Sequence, residues 1–141
     1  MQNKTLFHVL LVITFIWAGI SALSYISMGL LQPAFKTALS DNPNLLPEQA
    51  SIMMERMLDT PSSFYLVSAL FYALEILGAA LMWNLRWAGF HCYTLGRLLL
   101  LLLPALFLGR EFVGLGDIMM AILFVTVYYM LMRRLTAEQS S

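Results

Sequence analysis

Residues 62 to 108 read SSFYLVSALFYALEILGAALMWNLRWAGFHCYTLGRLLLLLLPALFL, two apolar stretches joined at Asn84, Leu85 and Arg86, with one acid and one base inside them. The acid is Glu75 and the base is Arg97. At about 1.5 Å of rise per helical residue, Glu75 falls roughly 15 Å before Leu85 and Arg97 roughly 18 Å after it. Two antiparallel helices therefore bring them to one depth. In a hydrocarbon core about 30 Å thick that depth is near the middle, where a charge is costly enough to need a partner and to mark a functional site.

Composition sets the same frame. Of 141 residues, 60% are hydrophobic and 11% charged, against about 25% charged in ordinary soluble domains. The charges lie outside several apolar runs long enough to cross a bilayer. This pattern predicts an all-α integral membrane four-helix bundle, a single domain over 1–141 with helices at about 6–31, 62–83, 87–108 and 112–132. Pro33, Pro43, Pro47 and Pro61 punctuate the polar stretch from Gln32 to Pro61, which reads as a loop with an additional amphipathic helix at about 47–59. There Pro47 suits a first turn, and Ala50, Met53, Met54, Met57 and Leu58 recur on one stripe. Such a helix lies in the membrane interface with its stripe toward lipid, and a methionine-rich stripe is also adaptable enough to serve as a partner groove. The run from Leu6 is longer than the roughly 7 to 15 apolar residues of a secretory signal and reads as a retained first helix.

Each long segment carries a polar face. Thr14, Trp17, Ser21, Ser24 and Met28 share one side of the first, opposite Val12, Ile13, Ile16, Ile20 and Leu23, so the mixed face is expected to look inward. Tyr65, Ser68, Tyr72 and Glu75 form a stripe on the second. His91, Thr94 and Arg97 follow one another on the third, whose Pro104 is expected to kink it or loosen its last turn. Gly109, Arg110 and Glu111 form the next turn, and Gly114, Asp117, Ala121, Phe124 and Tyr128 line the fourth helix. The end, Arg133 to Ser141, reads as a polar tail.

Two interpretations of Glu75 and Arg97 follow from the residues. One is a buried ion pair that fixes the register of the second and third helices. The other is a site for a polar or anionic head group, or a proton-handling carboxylate, bordered by Tyr65, Tyr72, His91 and Thr94, with Asp117 nearer the head groups. The lone Cys92 rules out an intrachain disulfide and any multi-cysteine metal or redox pattern. His91 beside Cys92 is a poor metal start, because consecutive helical residues point about 100° apart, so no metal and no cofactor are expected. With zero net charge and no basic run beyond Arg133 and Arg134, nucleic-acid binding, which rests on neutralising phosphates, is not expected. No catalytic motif supports an enzyme.

The run Glu75-Ile-Leu-Gly78-Ala-Ala-Leu81 followed by Arg86 resembles the second-helix signature of the DoxX-like membrane proteins, and Trp17-Ala-Gly19-Ile is similar to their early small-residue turn. The chain departs from that family in lacking the lysine that often follows the first-helix glycine, and in its long, methionine-bearing first loop. The resemblance implies a small bacterial inner-membrane protein, some relatives of which are subunits of quinone-linked oxidoreductases. The functional expectation is a non-catalytic accessory or assembly subunit in contact with membrane lipid and with other membrane-protein subunits. Its rivals are an oligomeric small-solute or proton-coupled carrier using Glu75, built as a homo-oligomer, and a quinone-linked redox subunit.

Four spans place both ends on one side. Lys4, Arg86, Arg133 and Arg134 gather there, against Lys36, Arg56 and Arg110 on the other, which carries four acids in its long loop. Basic residues favour the cytoplasmic face, so both termini are expected in the cytoplasm. Cysteines placed at Asp41 and Glu48 should then react with an impermeant thiol reagent from outside, whereas cysteines at Gln2 and Gln139 react only after lysis. The opposite labelling would reverse the orientation.

Overall fold

The computed structural model describes residues 2–42, 47–107, 109 and 113–140, all but the links in helix. In order these are α1 (Gln2–Asp41), α2 (Glu48–Asp59), α3 (Ser62–Trp83), α4 (Trp87–Phe107) and α5 (Leu115–Ser140). Among the described residues, α1, α3, α4 and α5 are long and apolar enough to cross a membrane. Much of their apolar surface points outward, with Ile16, Ile20, Leu23, Leu70, Leu106 and Met119 more than half exposed. A soluble monomer rarely exposes contiguous apolar surface on this scale, which suggests a multi-pass membrane protein.

α3 is the central helix, packed along α4 on one side and α1 on the other, whereas α5 touches α1 and α4 over much shorter lengths. The α3–α4 seam is close because glycines sit in it. A Cβ added at Gly78 would come within 2.5 Å of the Tyr93 backbone nitrogen, and one at Gly89 within 2.5 Å of the Met82 nitrogen. Small residues of this kind let helix backbones approach where burial from water supplies no drive. The turn between the helices closes tightly. Leu85 takes a left-handed φ of 54°, the Leu85 N–H donates to Met82 O at 2.8 Å, and the Arg86 N–H donates to Leu81 O at 3.2 Å. This is the Schellman pattern that satisfies the last carbonyls of a helix.

Two core clusters flank the middle of the bundle. Phe7, Leu11, Met82, Tyr93, Tyr128 and Met132 pack near the chain ends and the α3–α4 turn, while Phe64, Tyr65 and Leu103 pack at the opposite end.

Several boundaries differ from the sequence pattern. The first helix does not end at residue 31 but runs through Pro33 to Asp41, because a proline removes one backbone bond and a helix already propagated over eight turns absorbs that loss. The 112–132 helix and polar tail become one helix to Ser140. Leu131, Met132 and Leu135 are buried and carry the inward period of Tyr128 past the charged pair Arg133 and Arg134. On α1 the buried line is Phe7, Leu11, Thr14, Ala18, Gly29 and Gln32, so Trp17 and Ser24 of the predicted inward face are exposed, while Ser21 and Met28 are half-buried.

α2 is a helix as expected, but among the described side chains of its stripe only Leu58 is buried. Met54 is half-buried and Ala50 and Met57 are exposed. Its C-terminal end is held by neighbours. The Gln32 amide, 4% exposed, donates to Leu58 O at 2.8 Å and Thr60 O at 2.6 Å, and the Tyr65 hydroxyl donates to Met57 O at 2.6 Å. Pro43, Leu108, Arg110, Glu111, Phe112 and the side chain of Met53 lie outside the described residues.

The glycine seam generates a direct test. Gly78→Ala and Gly89→Ala should each cost about 1 to 3 kcal/mol through overpacking and lower the melting temperature in detergent. Gly19→Ala, where an added Cβ meets nothing within 4 Å, should leave it unchanged.

Candidate functional site

Glu75 is 1% exposed on α3, and Gly96 on α4 faces it. A Cβ at Gly96 would lie 3.2 Å from Glu75 Cγ, so the glycine keeps room for the carboxylate's stem. One residue further, the Arg97 Nη1 donates to Glu75 Oε1 at 3.4 Å. The pair expected from the spacing is thus formed. Its single contact is longer than the 2.7 to 2.9 Å usual for a charge-assisted hydrogen bond, so Arg97 keeps donor capacity beyond Glu75.

Beside the pair is a cavity of about 430 Å³ enclosed by α1, α3, α4 and α5. Tyr72 and Glu75 line it from α3, Tyr93, Arg97, Leu100, Leu101 and Pro104 from α4, and Ile13, Thr14, Trp17 and Tyr25 from α1. Val113, Asp117, Met120 and Phe124 close the fourth side. Tyr25 stacks against Tyr72 with ring centroids 5.5 Å apart, which holds the α1–α3 wall together. Toward the chain ends, α5 is tied to α1. The Tyr128 hydroxyl donates to Leu10 O at 2.9 Å and so accepts from Thr14 Oγ1 at 2.6 Å, while its ring meets Tyr93 edge-on at 5.1 Å. Beyond that tie α1 and α5 share few contacts. The most exposed lining residues are Ile13 and Trp17 on α1 and Asp117 and Met120 on α5, with Trp17 at 64%. The mouth therefore opens sideways, between α1 and α5.

Of the residues expected at the site, Tyr72, Glu75, Arg97 and Asp117 share this cavity. Three do not line it. Tyr65 spends its hydroxyl on Met57 O, His91 is exposed with its ring against Phe90, and Thr94 has a buried hydroxyl with no hydrogen-bond partner among the described residues. The physical reason is helix phase: a strict three-residue step drifts around a helix of 3.6 residues per turn, so His91 and Thr94 turn away from the face that carries Arg97. Tyr93, four residues before Arg97, is the neighbour in phase, and that spacing was the available signal for it. Tyr25 likewise continues the step from Thr14 through Ala18 and Ser21. Among the described residues, no three His, Cys, Asp or Glu side chains come together.

Fold and site together define a class, a helical scaffold with four helices long and apolar enough to cross a membrane and an ion pair beside an open, aromatic-walled cavity. No family model, curated protein or solved structure matches the chain.

The pair can be tested by a double-mutant cycle. Glu75→Gln and Arg97→Gln should each destabilise, by up to about 3 to 5 kcal/mol, because breaking a buried pair from one side strands a charge. The double variant should recover part of the loss, since contacting residues are coupled. Strictly additive losses in thermal unfolding would show that the two charges act independently.

Proposed function

We propose that the chain is a non-catalytic membrane subunit that binds a lipid-soluble amphiphile, its polar end at Glu75 and Arg97 and its apolar part in the cavity mouth. The observation that carries this reading is the cavity itself. An ion pair serving only as a clamp needs no cavity beside it. A volume of about 430 Å³ is instead within the range of about 300 to 1,000 Å³ typical of ligand sites. The sideways mouth, flanked by exposed Ile13, Trp17 and Met120, suits a ligand arriving from the hydrocarbon phase.

In this reading the protein is a small bacterial inner-membrane protein with both termini cytoplasmic, as the basic residues and the DoxX-like resemblance imply. The loop helix α2 lies at the outer interface, with Ile52 and Met57 toward lipid or a partner subunit. A quinone is the ligand class which that resemblance implies. The open side of the cavity supports a second reading, a homo-oligomer in which a neighbouring copy closes the mouth and Glu75 acts as the titrating group of a proton-coupled carrier.

Native mass spectrometry of the protein extracted in mild detergent separates these. The expected spectrum shows the chain, alone or with other subunits, retaining one lipid-soluble molecule that is lost when Leu100→Trp fills the cavity. A retained mass indifferent to that substitution, or none at all, would contradict the binding reading.

A further inference from the structure

The cavity's charges and walls are not neutral toward the ligand's own charge. Two acidic side chains, Glu75 and Asp117, and one basic side chain, Arg97, line the cavity, so acidic groups outnumber basic ones there by one. Arg97 is already engaged by Glu75. Asp117 lies in the first turn of α5, where the helix dipole favours an anion, and it is exposed at the mouth. Around these groups stand the rings of Trp17, Tyr25, Tyr72, Tyr93 and Phe124, whose π-faces attract cations. An entering anion would find the spare donors of Arg97 but would have to lie near two carboxylates.

We propose that this cavity selects lipophilic organic cations, amphiphiles bearing an amine or onium group, with the cationic end held between Glu75 and Asp117 and enclosed by the aromatic rings. The inference rests on the cavity-binding reading and adds the sign of the ligand's charge. Asp117 draws the cation in at the mouth, and Glu75 receives it at depth. Arg97 keeps Glu75 in place in the empty site.

Tetraphenylphosphonium and tetraphenylborate have nearly the same size and shape and opposite charge. Each is equilibrated by dialysis with the full-length chain in neutral detergent, with protein-free micelles as the blank. The phosphonium should saturate at one ion per chain, and the borate should bind at least about tenfold more weakly, because like charges in close juxtaposition are strongly disfavoured. Asp117→Asn should weaken phosphonium binding while lowering the melting temperature only slightly, as its side chain is exposed and a charge at an exposed helix N-terminus contributes little to stability. Asp117→Lys should shift the preference toward borate. Equal binding of both ions would overturn charge selection and leave the cavity-binding reading standing. Tighter borate binding would assign selection to Arg97 and overturn the proposal as well. Binding of neither ion overturns it too, and the adduct in the native spectrum then decides separately whether the cavity takes any ligand.

Discussion

The close approach of α3 and α4 is the constraint on which the remaining geometry depends. Gly78 and Gly89 bring the two backbones together where a Cβ on either would collide with main-chain atoms. The tight turn at Leu85 then fixes the register. Only in that register does Glu75 meet the open space at Gly96 and the guanidinium of Arg97. A shift of one residue would turn Glu75 by about 100° and strand both charges. The glycines and the ion pair thus enforce the same alignment, one by excluding volume and the other by electrostatic cost.

α5 plays a different part. It is tied to α1 near the chain ends by the Tyr128 hydroxyl, which joins Leu10 O and Thr14 Oγ1. Its contacts with α1 and α4 are otherwise few, and a cavity lies beside it where a tightly packed fourth helix would have filled the space. Large apolar side chains on both sides of the mouth remain uncovered. For the proposed ligand this is the route of entry, because widening the α1–α5 gap disturbs neither the glycine seam nor the ion pair.

The helix count and the Glu75–Arg97 pairing could be read from the sequence because both depend on simple quantities, the length of apolar runs and the equal distance of two charges from one turn. The ends of α1 and α5 could not. Pro33 and the pair Arg133 and Arg134 look like stops when only local propensity is weighed, yet Gln32 is anchored to the α2 end and Leu135 is buried in the core, and tertiary contacts of that kind override propensity. Half of the site was visible. Tyr72, Glu75, Arg97 and Asp117 converge, whereas His91 and Thr94 were grouped with Arg97 by a three-residue step that does not follow the helix. Trp17 and Phe124 were on the faces marked out in the sequence, but Tyr25 was not, and that these faces meet across one cavity required knowing which helices face one another, a pairing that a single sequence does not carry for α1 and α5.

The proposed sideways opening of the cavity into hydrocarbon can be read from the fluorescence of Trp17. With Trp83 and Trp87 replaced by Phe, Trp17 is the remaining tryptophan of the three in the chain, and the protein can be reconstituted in lipids brominated at defined acyl positions. For such an opening, strong quenching is expected from bromines deep in the acyl chains and little from aqueous iodide. Quenching by iodide with none from brominated lipid would place the mouth in water and contradict it.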